Sequence, residues 1–139
     1  MSTSSIAAWP LQKAVYERLA GHSATKPFTV TDNADADYPY IALGATFGSG
    51  ADTKTTRGSN EVVQIDVWAR NSKVAKTMMQ AVDAALAATR LDLESDGFKA
   101  LAEPTLDDYR VMTDYDDARG HQIRHAVMRY RFMISSLND

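Results

Sequence analysis

Three histidines, His22, His121 and His125, are the side chains best suited to acid–base chemistry or metal binding. His121 and His125 are predicted to lie on one face of the last strand at positions i and i+4, which places them about 13 Å apart. That separation is too large for both side chains to bind one metal ion. His22 follows a glycine that is expected to end a helix. The spacing therefore favours exposed or edge histidines over a metal or catalytic centre.

Acidic residues form three clusters whose spacing does not match a calcium loop. The twelve-residue calcium loop needs a central glycine and a closing glutamate, and neither follows Asp32 at the required position. We interpret the clusters as turn residues and solvated surface, and we expect no metal site. Their members are Asp32, Asp35 and Asp37, then Asp107 and Asp108, then Asp114, Asp116 and Asp117.

Other residues and motifs on which many enzymes depend are missing. The chain has no cysteine, which excludes disulfide scaffolds, cysteine zinc sites and a thiol nucleophile. It has no Gly-x-Ser-x-Gly turn, and no lysine follows the glycine-rich residues 44–50, so that segment is not a phosphate loop. We therefore expect no enzymatic activity, no catalytic residue and no cofactor.

The charge balance also argues against a nucleic-acid-binding domain. Lys54, Arg57, Arg129 and Arg131 have side chains that can contact phosphates, but the formal net charge is −3. Domains that hold nucleic acid usually carry a basic excess. We interpret these cations as part of an ordinary solvated sheet face and loop.

The length of 139 residues suits one domain, and we expect a single domain over residues 1–139. Residues Met1 to Ser5 do not resemble a signal peptide. No apolar run approaches the about 20 residues that a membrane span needs. We therefore expect a soluble protein that folds in a cytoplasm.

Two segments have the apolar periodicity of helices. The first covers about residues 5–20, where Pro10 suits a first turn and Gly21 a terminus. The second follows the cap Asn71-Ser72 and runs to about Thr89. The residues predicted to face the core are Leu11, Val15 and Leu19 in the first helix and Ala75, Met78, Met79, Val82, Ala85 and Leu86 in the second.

Most of the remaining chain is predicted to form strands. In residues 61–70 and 122–134, apolar and polar side chains alternate as in an antiparallel sheet with one buried face. The other predicted strands are residues 27–31, 38–44, 98–106 and 109–114. We expect an α+β fold in which an antiparallel β-sheet carries two helices packed on one face.

Residues Thr46 to Asn60 lack the apolar side chains of a core segment and contain three glycines, two serines and four threonines. Since they lie between two predicted strands, we expect a long, mobile hairpin loop, and loops of this length are usually functional or disordered. We predict that this loop contacts partner proteins. The residues assigned to the predicted partner interface are Asp52, Lys54, Thr55, Arg57 and Asn60.

The ordered set of segments resembles the phage tail-completion or tail terminator proteins, also called tail-to-head joining proteins, of siphophages, prophages and gene transfer agents. The resemblance covers most of the chain and involves structural rather than catalytic motifs. It is carried by Leu11-Gln12-Lys13-Ala14-Val15-Tyr16, by Asp37-Tyr38-Pro39-Tyr40-Ile41-Ala42-Leu43-Gly44, by Val63-Gln64-Ile65-Asp66-Val67-Trp68-Ala69-Arg70 with the helix after it, by Tyr109-Arg110-Val111, and by Arg129-Tyr130-Arg131-Phe132.

The resemblance implies a structural virion protein at the head-tail junction, made in the host cytoplasm. In the family, a hexameric ring of such subunits caps the tail tube, stops its polymerisation and meets the head connector or stopper protein, while DNA passes through the lumen without sequence-specific binding. Six copies of a chain with formal charge −3 would carry −18 together. An acidic lumen would repel phosphates and let DNA slide.

Three alternatives remain open at the level of sequence. One is a head-completion protein or a tail tube subunit of the same particle. Another is a small enzyme that uses aspartate and histidine residues. A third is a free nucleic-acid-binding module, against which the acidic composition argues.

Overall fold

A computed structural model describes residues 6–31, 37–50, 58–87, 90–116 and 121–137. Two helices and six strands follow one another along these residues, with one 3₁₀ turn at Glu94–Asp96. The helices and strands are α1 (Ala8–Gly21), β1 (Thr29–Thr31), β2 (Tyr40–Gly50), β3 (Gly58–Ala69), α2 (Ser72–Leu86), β4 (Phe98–Ala100), β5 (Thr105–Asp116) and β6 (His121–Ser136).

The strands form one mixed sheet in the order β1-β2-β3-β6, and β4 and β5 share the other edge of β6. All neighbouring pairs are antiparallel except β1 and β2, which are parallel. The α+β prediction is therefore confirmed, and the prediction of a purely antiparallel sheet is corrected at this edge.

Both helices cover the same face of the sheet, as predicted. Helix α1 packs against β1 and β2, and α2 packs against β3 and β6. All nine side chains predicted to face the core are buried, and they join one hydrophobic cluster with the inward residues of the strands. On β6 the five apolar residues predicted to form its inner face are likewise buried, namely Ala126, Met128, Tyr130, Phe132 and Ile134.

The helix ends follow the local sequence signals closely. Pro10 lies in the first turn of α1 and Gly21 is its last residue. The Asn71 side chain accepts a hydrogen bond from the Val74 backbone N–H at 2.9 Å, so Asn71 caps α2 as predicted. Helix α2 ends at Leu86, before the predicted end near Thr89. Neither of these described helices has the length and apolar character that crossing a membrane requires.

Within the predicted loop from Thr46 to Asn60, every residue that the structure describes lies in a strand, which corrects the bounds of the loop. Strand β2 continues to Gly50 and β3 begins at Gly58, and the two strands pair as far as Gly50 opposite Ser59. The side chain of Glu61 explains why position 48 of β2 is a glycine, because a Cβ at this position would lie 2.5 Å from Glu61 Oε2 on the paired strand. Residues 51–57, which connect the two strands, lie outside the described residues.

The predicted strand over residues 98–106 is divided into two. Strand β4 ends at Ala100 opposite Ile134, and β5 begins at Thr105 opposite Arg131. The partners of Ala100 and Thr105 on β6 are three positions apart, whereas Ala100 and Thr105 themselves are five positions apart. The four residues between β4 and β5, which include Pro104, therefore leave the ladder. The predicted gap between residues 106 and 109 is a register shift within β5 rather than a strand end.

Candidate functional surfaces

An aromatic row crosses the sheet face that the helices leave open. In the strand register, Tyr40 of β2 lies opposite Trp68 of β3, and Trp68 lies opposite His125 of β6. The Trp68 and His125 rings stack with centroids 3.7 Å apart and planes 8° apart, and the Tyr40 and Trp68 centroids are 6.3 Å apart. This row packs three neighbouring strands together on the open face.

Both ring nitrogens of His125 face carboxylates. Its Nε2 lies 2.8 Å from Asp66 Oδ1 on β3, and its Nδ1 lies 3.7 Å from Asp114 Oδ2 on β5. Only 15% of the side chain is exposed, so the prediction of an exposed or edge histidine is wrong for His125. The reason is that β6 is a central strand, so Trp68 of β3 stacks on the His125 ring while Asp66 and Asp114 flank it from the neighbouring strands. With its two nitrogens directed at carboxylates, the imidazole is placed to fasten β3, β6 and β5 together rather than to activate a nucleophile.

Two polar contacts fix the helix layer to the rest of the molecule. The buried Tyr130 of β6 donates a hydrogen bond from its hydroxyl to Asp83 Oδ1 of α2 at 2.7 Å. Burial, with the Asp83 carboxylate beside it, raises the pKa of Tyr130 above its ordinary value, so the phenol keeps its proton and remains a donor. On the other helix, Lys13 Nζ lies 2.8 Å from Asp96 Oδ2 in the 3₁₀ turn.

Glu61 is a carboxyl buried on the inner face of β3, where 3% of the residue is exposed. It lies beside the start of α1, which has no side-chain cap of its own at Ala7. Burial raises the pKa of Glu61 above its ordinary value, while the Ser59 side chain and the Ala7 backbone, both beside the carboxyl, oppose this shift. A carboxylate at the N-terminus of a helix interacts favourably with the exposed N–H groups there. Glu61 therefore connects β3 to α1.

These carboxylates and histidines do not gather into a metal centre. Within the described parts of the chain, no group of three or more such side chains is placed to hold a metal ion. Arg129 and Arg131, which the sequence offered as phosphate contacts, instead face Asp108 at 3.8 Å and Asp107 at 3.0 Å. The cations of β6 thus lie beside carboxylates of β5.

Open apolar grooves flank the helix layer on both sides. One, of about 490 Å³, lies between α2 and β5, and Tyr109 on its wall is 64% exposed. The other lies between α1 and the edge formed by β1, and Trp9 beside it is 65% exposed. The sequence reasoning missed these surfaces. The spacing of Trp9 and Tyr16, two turns apart on the polar side of α1, is the signal that indicates one of them.

Of the predicted partner-interface residues, the structure describes only Asn60. It is half-buried on β3 between Ser49 of β2 and Met133 of β6. Its alternation with the inward-facing Glu61 places it on the open face of the sheet. Asp52, Lys54, Thr55 and Arg57 lie outside the described residues.

In the described parts of the chain, the architecture is that of a small α+β protein with a two-helix layer on one face of a mixed, six-stranded sheet. Residues 11–135 match the family described as tail completion protein gp17, and this chain belongs to that family. Its members are structural proteins of phage tails, and this chain is accordingly a tail structural protein of a phage-like virion.

Two individual proteins illustrate the similarity. Tail completion protein gp17 of Bacillus phage SPP1 is 27% identical over 139 residues, which covers 96% of this chain and 98% of the relative. A chain in the virion of a native gene transfer agent particle has the same fold, with a TM-score of 0.77 and 23% sequence identity. That match covers 96% of this chain and all of the other.

Proposed function

We propose that this protein is a tail terminator. Six copies form a ring that caps the last ring of the tail tube, stops tube polymerisation and joins the tail to the head connector. The observation that carries this proposal is the pair of exposed apolar surfaces on opposite sides of the helix layer. A closed ring of identical subunits needs two different surfaces on each subunit, one for each neighbour.

The connection between β2 and β3 is the proposed contact with the proteins above or below the ring. Its residues Asp52, Lys54, Thr55 and Arg57, together with Asn60 on β3, offer charged and hydrogen-bonding groups. The two strands that lead to this connection pair with each other up to Gly50 and Ser59. A paired, rigid base favours a defined position for the contact surface that it carries.

DNA is proposed to pass through the centre of the ring without being held. Each chain has a formal charge of −3, and an acidic channel wall repels phosphates. Replacing acidic residues of the wall by lysine should therefore slow DNA ejection from assembled particles. Ejection kinetics that stay unchanged would count against the acidic channel and leave the terminator role intact.

Deleting the gene from the phage or prophage that encodes this chain tests the terminator role. We expect electron micrographs to show over-long tails, or heads and tails that fail to join, and we expect the intact gene supplied in trans to restore normal particles. Finished tails beside heads that leak DNA would indicate a head-completion protein instead. Absence of any tail tube would indicate a tube subunit.

A matched pair of variants tests the connection between β2 and β3. Lys54→Glu with Arg57→Glu should reduce joined particles severalfold, because both charges in the proposed contact are reversed. The same reversal at Lys73 and Lys99, two exposed lysines elsewhere, should leave joining unchanged. Equal joining by both double variants would remove the connection from the interface.

A further inference from the structure

We propose that the outer face of α1 in one subunit docks into the groove between α2 and β5 of the next subunit. This inference rests on the proposed ring and assigns its subunit contact to named surfaces. The face of α1 that carries Trp9 and Tyr16 is called the ridge, and the α2–β5 space is called the groove. The occupant of the groove is thus a second copy of this chain.

The groove exists because the helix layer is narrower than the sheet. Helices α1 and α2 cover β1, β2, β3 and β6, whereas β5 lies beyond α2. The side of β5 that faces the helix layer is therefore left open next to α2, with room of about 490 Å³. Residues of α2, β5 and β6 line this space, among them Met79, Gln80, Leu106, Tyr109, Val111 and Met128.

The ridge lies at the opposite side of the same layer. Trp9 and Tyr16 are 65% and 42% exposed. Both border the other open space, which lies between α1 and β1. Trp9 and Tyr16 are seven positions apart in the sequence, so they lie two turns apart on one stripe of α1. The ridge of α1 cannot reach the groove of its own chain, because α2 and two strands lie between them.

The two surfaces are complementary in chemistry. A neighbour's α1 placed over β5 would continue the helix layer beside α2, where packed helices are usually 8–10 Å apart. Trp9, Tyr16 and Tyr109 would then leave water together, and aromatic side chains of this kind dominate interface energetics. The exposed charges are complementary as well, because Glu17, which follows Tyr16 on α1, is negative and Lys76, which lines the groove, is positive.

The arrangement is heterologous, because ridge meets groove rather than ridge meeting ridge. Contacts of this type close into rings when the rotation between neighbours is suitable. An isologous contact would instead stop at a dimer. The ridge of one subunit is therefore expected to touch the groove of the next, whatever the number of subunits in the ring.

Cysteine cross-linking tests this directly, because the natural chain has no cysteine to interfere. Gln12→Cys places a thiol beside the ridge, and Gln80→Cys places one on the groove wall. Under oxidation, or with a short bismaleimide, the double variant should give a ladder of linked multimers that ends at the ring. Each single variant should remain unlinked. Gln12→Cys combined with Lys99→Cys, away from the groove, serves as the control pair and should also remain unlinked.

A second measurement uses the natural contact residues. Trp9→Ala and Tyr109→Ala should each weaken self-association at least tenfold in sedimentation or native mass measurements, which is the effect of removing an interface hot spot. Phe47→Ala removes another exposed aromatic, on β2, and should leave association unchanged. Circular dichroism of each variant shows whether the fold is kept.

The outcomes separate this inference from the proposed function. Rings that form, free or on tail tubes, without a link between positions 12 and 80 would overturn the ridge-to-groove contact and leave the terminator role standing. Linked dimers from either single variant would overturn it in favour of an isologous contact. Normal particles from the gene deletion, with no multimer up to the solubility limit, would remove both proposals.

Discussion

Glu61 is the residue from which we expect a distinct pH dependence of stability. Because burial raises its pKa, the folded state holds this proton to higher pH than the unfolded state, where the ordinary value is 4.5. The contribution of Glu61 to the free energy of unfolding is therefore highest below pH 4.5 and is lost as pH rises through the folded-state pKa.

Glu61→Gln should remove this pH-dependent loss. The amide is nearly the same size and stays neutral, so the stability of the variant relative to the natural protein should increase from pH 4 to pH 7. Urea unfolding at a series of pH values measures the difference. Glu103→Gln, at an exposed carboxyl, is the control and should give a curve parallel to that of the natural protein. Parallel curves for the Glu61 variant would contradict the prediction.

Tyr130 provides a second residue-scale prediction. Tyr130→Phe deletes the hydroxyl that bonds to Asp83 at 2.7 Å and leaves a partly buried carboxylate without that donor. We expect a loss of about 1.5–3 kcal/mol in the free energy of unfolding, as for hydrogen bonds to charged groups. Chemical denaturation measures this loss.

Tyr109→Phe is the matched control for Tyr130→Phe, because Tyr109 is 64% exposed. Its effect should stay within about 0.5 kcal/mol. Equal effects of the two substitutions would mean that the Tyr130 hydroxyl contributes no more than an exposed one. A coupling of Tyr130→Phe with Asp83→Ala in a double-mutant cycle would assign the loss to this pair.

At the scale of elements, two of the three glycines of β2 are explained by acidic residues of β3. Gly48 leaves room for the Glu61 carboxyl, and Gly44 leaves room for Asp66 in the same way. The two carboxyls lie on opposite sides of the sheet, since Glu61 faces the core and Asp66 faces the open side. A segment that is rich in glycine thus remains a strand because its partner strand supplies the side chains.

Gly48→Ala tests this pairing. A Cβ there would lie 2.5 Å from Glu61 Oε2, so the buried carboxyl must move, and we expect a loss of about 1–3 kcal/mol. Gly50→Ala lies two residues further along the same strand, and its Cβ would meet nothing within 4 Å. Thermal or urea unfolding should distinguish the two variants, and similar losses from both would argue against the steric explanation.

At the scale of the whole molecule, one hydrophobic cluster includes side chains from both helices and all the long strands except β5, which packs against it. Since this cluster is continuous among the residues that the structure describes, we predict a single cooperative unfolding transition, as a single domain requires. Far-ultraviolet circular dichroism follows the helices, and in a Trp9→Phe variant fluorescence follows Trp68 alone. Coincident transitions are expected, and two separated transitions would indicate more than one folding unit.

The sequence determined the features that depend on local periodicity. A repeat of 3.6 residues fixes which side of α2 is apolar, and strict alternation fixes which side of β6 is apolar, so their buried residues followed directly. The Asn71 cap and the Gly21 end of α1 follow from the same local rules, because they need only neighbouring backbone groups. The family resemblance, which was carried by segments of both helices and of β2, β3, β5 and β6, is confirmed.

Tertiary structure alone decided the features that depend on a distant partner. His125 stacks on Trp68 and faces Asp66, and these contacts join strands separated by more than 50 residues. Gly48 belongs to a strand because Glu61 lies across from it, and β5 has an open face because two helices are too few to cover the sheet. Each of these outcomes depends on which segments lie side by side, and the periodicity of one segment carries no information about its neighbour.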